Sequence, residues 1–109
     1  MKFYNIKDDM PTKLEAGKRL AEFIRQNKNE KVVKIIHGYG STGVGGSIKQ
    51  MVHRSLRNKR KSKEIKAFIP SEAIFDLQGF GEDIAKYKHL IKNDIDYKRP
   101  NDGVTFVIL

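Results

Sequence analysis

The stretch KVVKIIHGYGSTGVGGSIKQMV, residues 31–52, constrains the fold more than any other part of the chain. Residues 32–36, VVKII, are dense in β-branched side chains, which suits a buried central strand. A glycine-dense loop, His37–Gly46, follows, and Ile48, Met51, Val52 and Leu56 then recur at the spacing of an amphipathic helix. Such a loop between a strand and a helix is well placed to hold a phosphate, because backbone N–H groups and the helix N-terminus converge there.

The flanking segments extend the same pattern. Residues 2–6, KFYNI, read as a short strand. A helix then opens at Pro11-Thr12, where Thr12 and Glu15 have capping-box spacing. Leu14, Gly17, Leu20, Ala21 and Ile24 make its buried face, with Gly17 allowing close approach to a sheet. The second helix presents Lys49, Gln50, His53, Arg54 and Arg57 outward, and a third strand spans residues 64–69, stopped by Pro70. In residues 71–100, SEAIFDL reads as a helical turn and FGEDIAKYKHLIKN as a helix with Ile84, Tyr87 and Leu90 or Ile91 inward. Pro100–Gly103 is a turn signal, and VTFVIL, residues 104–109, is a closing strand. The order β-α-β-α-β-(α)-β predicts an α/β fold: a single-domain two-layer sandwich with a mixed four-stranded sheet and helices packed against it. A length of 109 residues matches one such domain.

Charge is distributed unevenly. Residues 31–66 carry ten Lys or Arg against Glu64 alone, a balance of +9, whereas residues 1–30 stand at +2 and residues 67–109 at −2. A basic block around the glycine loop is the footprint of a polyanion partner, against the plainer reading of a solvated lysine-rich face. No apolar run is long enough for a membrane span, and MKFYNIKDDM lacks the apolar core of a signal peptide, so a cytoplasmic protein is expected. There is no cysteine, which excludes disulfides and thiolate metal sites.

Gly38-Tyr39-Gly40-Ser41-Thr42-Gly43 satisfies G-x-G-x-x-G, but the acidic residue a dinucleotide fold needs at the end of the next strand is missing, since Glu64 begins that strand. Gly40 to Ser47 is a near miss for a P-loop, with Gly46 in the place of the lysine. The backbone logic survives both rejections, and it suits a nucleic-acid backbone phosphate better than a free nucleotide. Each glycine alone is by default a turn residue; it is their company with His37 and the basic block that points to binding. His37, at the C-terminal end of a buried strand, is placed to donate to a phosphate or to act as general acid or base. His53 and His89 read as surface residues, and no set of His, Asp and Glu has metal-ligand spacing.

IIHGYGSTGVGGSIKQMVHRSL resembles the signature of the small MutS-related (Smr) domain family, an apolar strand, H-G-x-G, a glycine-bearing loop and an amphipathic helix. GVTFVIL at residues 103–109 is similar to that domain's closing strand. The resemblance implies a compact α/β sandwich that binds branched or structured DNA, or RNA, with endonuclease activity in some members. Members with nuclease activity usually carry L-D-x-H-G on the first strand; here Tyr4-Asn5-Ile6-Lys7-Asp8 stands in its place, with Asn5 for the aspartate and Lys7 for the histidine.

The leading expectation is therefore a nucleic-acid-binding domain. Gly38, Tyr39, Gly40, Ser41, Thr42, Gly43, Gly45 and Gly46 hold a phosphate beside His37, and Lys7, Lys49, Arg54, Arg57, Arg60 and Lys61 track the flanking backbone. The alternative is a nicking endonuclease that uses His37 with Asp8 or Asp9, and such an activity would bring in Mg or Mn. A third reading is a protein-interaction module acting through an insertion at residues 71–100. A monomer is expected in each case.

Overall fold

The computed structural model describes residues 1–6, 12–38 and 43–109. Four strands, β1 (Lys2–Asn5), β2 (Val32–Ile36), β3 (Ala67–Pro70) and β4 (Val104–Ile108), form one sheet in the order β1-β2-β4-β3. β1 runs parallel to β2, whereas β4 is antiparallel to both β2 and β3, so the sheet is mixed as expected. The C-terminal ends of β1, β2 and β3 and the N-terminal end of β4 consequently meet at one end of the sheet.

Helix α1 (Lys13–Gln26) begins where the capping residues put it: Thr12 Oγ1 accepts from the Glu15 backbone N–H at 3.2 Å and donates to the Glu15 carboxylate. Its buried face is shifted from the expected one: Ala16 joins it, Leu14 leaves it, and Gly17 and Ala21 are half-buried. Ala16, Leu20 and Ile24 are buried, whereas Leu14, about 200° around the helix from Ala16, is 71% exposed. A Cβ on Gly17 would come no nearer to a neighbour than 3.9 Å, at Met51 Sδ, so the position faces the second helix at ordinary contact distance.

Helix α2 spans Gly43–Lys61, longer than the residue periodicity suggests. Gly43, Gly45 and Gly46 therefore belong to its first turn and not to the loop expected over residues 37–46. Once a helix is nucleated, each added residue gains a hydrogen bond, and this offsets the roughly 1 kcal/mol that a glycine costs. Ile48, Val52 and Leu56 lie fully inward, each contributing about 2 kcal/mol of burial. Together with Ala16, Leu20, Ile24, Val33, Ile35, Phe68 and Val107 they form the core between the helix pair and one sheet face. Tyr4 stacks on Phe23 at 5.5 Å to close β1 against α1.

The residues alternating with these point to the other sheet face. Ile69 and Phe106 pack there against Ala73, Ile84 and Ile91 from α3 (Ala73–Asp76) and α4 (Gly81–Ile91), with Tyr87 and Leu90 half-buried beside them. A further short helix, α5 (Ile95–Lys98), follows. Residues 73–98 thus supply a second, smaller core behind the sheet. β3 starts at Ala67 instead of Glu64, since the chain makes a turn after α2 with Lys63 in a left-handed conformation, φ 64°. Pro70 is accommodated inside β3 because β3 is an edge strand. Among the described residues no helix is long and apolar enough to cross a membrane.

Candidate functional site

β2 delivers His37 to the sheet end just described, and the turn before β4 fixes it there. The His37 and Gly38 N–H groups both donate to the Gly103 carbonyl, at 2.9 and 3.2 Å. Gly38 has φ 85°, a left-handed conformation that favours glycine. A Cβ on Gly103 would lie 3.3 Å from the Gly38 carbonyl carbon, so the two backbones approach as closely as glycine permits. Asn101 Oδ1 accepts from the Gly103 N–H at 2.8 Å and sets that turn.

The His37 side chain is fully buried. Its Nδ1 lies 2.8 Å from the Gly38 carbonyl, which can only accept, so Nδ1 carries the proton. Nε2 lies 2.8 Å from Thr105 Oγ1, and Thr105 Oγ1 lies 2.9 Å from His53 Nε2. With both rings neutral, one arrangement satisfies all three contacts: His53 Nε2–H donates to Thr105, Thr105 donates to His37 Nε2, and His37 Nδ1–H donates to Gly38. Neutrality follows from the surroundings. Burial lowers His37 from 6.5 to about 4, with the Lys49 charge adding to it, against smaller opposing effects of the Gly38 carbonyl and Asp102. Burial likewise lowers His53 to about 4, helped by His37, Lys49 and Arg57.

The imidazoles meet edge to face with centroids 5.4 Å apart, and His53 also packs on Phe68 at 5.9 Å. His53 is therefore part of the site, contrary to its expected place on the surface. It sits on the shoulder of the apolar stripe, next to Val52 and three residues before Leu56, and the helix brings that shoulder onto Thr105. Thr105 was not anticipated either. Its signal was present: it is the one polar side chain in VTFVIL, a strand buried throughout. His89 is exposed, as expected of it.

Six of the ten cations of the basic block separate into two groups; of the others, Lys59 pairs with Glu64, and Lys31, Lys63 and Lys66 are exposed off the α2 stripe. Lys49 Nζ donates to Glu72 Oε2 and to the Asp102 carbonyl, both at 2.7 Å, joining α2 to the residues that flank β3 and β4. Arg60 makes a bidentate pair with Asp83 at the start of α4, at 2.7 and 3.0 Å. Lys34, in the middle of β2, reaches Asp94 at 3.1 Å and Asp96 at 2.8 Å behind the sheet. Burial lowers the Lys34 pKa, but hydrogen bonds and charge from Asp96 and Asp94 outweigh it, and the net shift is upward from 10.5. In the second group, Arg54, Arg57 and Lys61 are exposed at i, i+3 and i+7 of α2, on one side of the helix, and form no ion pair among the described residues. Seven residues of helix place them along about 10 Å.

Of the other expected site residues, Lys7, Asp8, Asp9, Tyr39, Gly40, Ser41 and Thr42 lie outside the described residues. Asn5 ends β1 opposite Ile36, one residue before His37, so the first-strand substitution borders the site. Among the described residues no group of three or more His, Asp or Glu side chains is arranged to hold a metal ion.

A mixed four-stranded sheet with helices on both faces, and with His37, His53 and Thr105 joined at one end of it, defines an α/β protein. A family model for the Smr domain matches residues 10–80, most of the chain, and the chain belongs to the Smr domain family. Searches of curated proteins and of solved structures return no match.

Proposed function

We propose that the protein binds structured or branched DNA or RNA through its backbone phosphates, using the outward stripe of α2 and the glycine-bearing segment at that helix's N-terminus. The observation that carries this reading is the segregation of the cations. Lys34, Lys49 and Arg60 are matched by acids from residues 72–96, whereas Arg54, Arg57 and Lys61 are left in line on one exposed helix side. Such a stripe contacts phosphates without reading bases, so recognition follows the shape of the nucleic acid. The chain acts in this reading as one Smr domain, a monomer, in which residues 71–100 are an insertion covering the back of the sheet.

Endonuclease chemistry would call on His37 with Asp8 or Asp9. The His37 ring is buried and both its nitrogens are engaged, which supports a positioning role for it: holding the chain at Gly38, where the glycine segment begins. Binding without efficient cleavage is the expected behaviour. The acids of residues 71–100 that pair within the chain likewise support packing over a protein-interaction role for that insertion.

The test is a fluorescence-anisotropy titration with labelled duplex DNA, branched DNA and structured RNA between about 50 and about 200 mM salt. Affinity falls steeply for the wild type. Replacing Arg54, Arg57 and Lys61 together by Ala weakens binding and reduces the salt slope by roughly 2–3. A salt-independent affinity, or a triple variant that binds like the wild type, sinks the proposal. Cleavage scored in the same samples with Mg2+ or Mn2+ is expected to be absent.

A further inference from the structure

The sheet end that carries His37 also opens into a cleft of about 830 Å3 between α3 and residues 99–102. This lies in the size range of small-ligand sites, about 300–1,000 Å3. Glu72, Phe75, Asp76, Gln78, Arg99 and Asp102 are among its walls. Phe75 is 87% exposed, the most exposed of the large apolar side chains described, so no core contact accounts for it. Behind it the chain turns through Leu77, Gln78 and Gly79 with φ of 57°, 38° and 86°. Two of these three are non-glycine residues in a conformation that costs roughly 1–2 kcal/mol each.

The lining chemistry narrows the occupant. Carboxylates of Glu72, Asp76 and Asp102 repel a phosphate, but they accept hydrogen bonds from the amino and imino groups of a base. The Phe75 ring offers a stacking face of the kind that holds single bases. Arg99 is the one cation among the described residues of the lining, suited to an adjoining phosphate. The cleft is also joined to the basic helix: Lys49, five residues before Arg54 and about 140° around α2 from it, donates to Glu72 Oε2 and to the Asp102 carbonyl, two of the cleft's own residues.

We propose that this cleft receives an unpaired nucleobase, stacked on Phe75 with its donor edge towards the carboxylates, from the nucleic acid whose backbone lies on α2. The inference rests on the function proposed above and adds to it what the protein distinguishes: nucleic acid with an extruded base from fully paired duplex.

The experiment compares three hairpin DNAs of one sequence: fully paired, with a single bulged guanine, and with an abasic residue at the bulge. Wild-type protein binds the guanine bulge at least about fivefold more tightly than the abasic one. Phe75→Ala removes that preference while leaving duplex affinity, salt slope and melting temperature unchanged, and Phe75→Tyr restores it. Equal binding of the three DNAs by the wild type overturns the cleft assignment and leaves the basic-face reading intact. So does a preference that survives in Phe75→Ala, or Phe75-dependent binding of an arginine-rich peptide without base discrimination. No binding of any of the three at low salt is a different result: it removes the basic-face reading and the cleft assignment together.

Discussion

Thr105 has one hydroxyl hydrogen and stands between two imidazoles, and that asymmetry orders the whole hydrogen-bond chain. Because the hydroxyl must donate to His37 Nε2, its oxygen is left to accept from His53, and the direction of each bond is fixed. Thr105→Val keeps the shape and removes both functions, leaving one ring nitrogen of each histidine without its partner in a buried place. A loss of about 2–3 kcal/mol is expected by chemical denaturation, with Thr105→Ser keeping most of the stability. Equal stability of the Val and Ser variants would show that the chain holds nothing together.

At the scale of elements, α5 matters out of proportion to its four residues. Asp94 caps it by accepting from the Asp96 N–H at 2.9 Å, and the same two carboxylates meet Lys34 on the back of the sheet. An amine in the middle of an interior strand is tolerated because this one short helix brings its counter-charges. Removing one partner leaves a poorly compensated charge, so Asp96→Ala is expected to cost about 2–3 kcal/mol. Lys34→Met removes the shared cation and leaves both Asp94 and Asp96 unpaired, so it is expected to cost more, about 3–5 kcal/mol. Urea unfolding of the two variants checks the ranking, and the reverse order would contradict it. The same logic explains why the acidic tilt of residues 67–109 does not enlarge the basic face: Glu72, Asp83, Asp94 and Asp96 each answer a particular cation of residues 34–60.

For the molecule as a whole, the histidine pair ties stability to pH. Both histidines have folded values of about 4 against an ordinary 6.5. The unfolded chain therefore binds protons first as the solution is acidified. Stability from keeping the rings neutral is fully present above about pH 6.5 and is lost as pH falls through that value towards about 4. Within the window the loss approaches about 1.4 kcal/mol per pH unit for each histidine. Denaturation midpoints at pH 7.5, 6 and 5 should fall in that order, and an unchanged midpoint across them would mean the pair is not buried neutral. Nucleic-acid binding by the folded protein should hold through this window and change only as pH approaches about 4, where the folded rings themselves take up protons.

How much of this was legible before folding depends on how far apart the interacting residues are. The strands VVKII and VTFVIL, the Thr12 cap and the inward positions of α2 and α4 are set by period and by neighbours three or four residues away, and the sequence displays them directly. Even locally there were limits: Leu14 fits the stripe of α1 yet is exposed while Ala16 is buried, and the glycines that read as loop are taken into α2. The uneven charge was visible as a block, but which cations stay exposed was not, because Lys49 and Arg60 meet acids 23 residues away. His37 and Thr105 are separated by 68 residues and Lys34 and Asp94 by 60, and no periodicity connects them. Sequence alone determined the main strands and helices and the basic character, since these depend on local backbone preference and composition. Only the tertiary structure decided that His53 is a partner and not a surface residue, and that Lys34 has counter-charges. Burial in a shared low-dielectric interior makes a polar group depend on whatever the fold brings beside it.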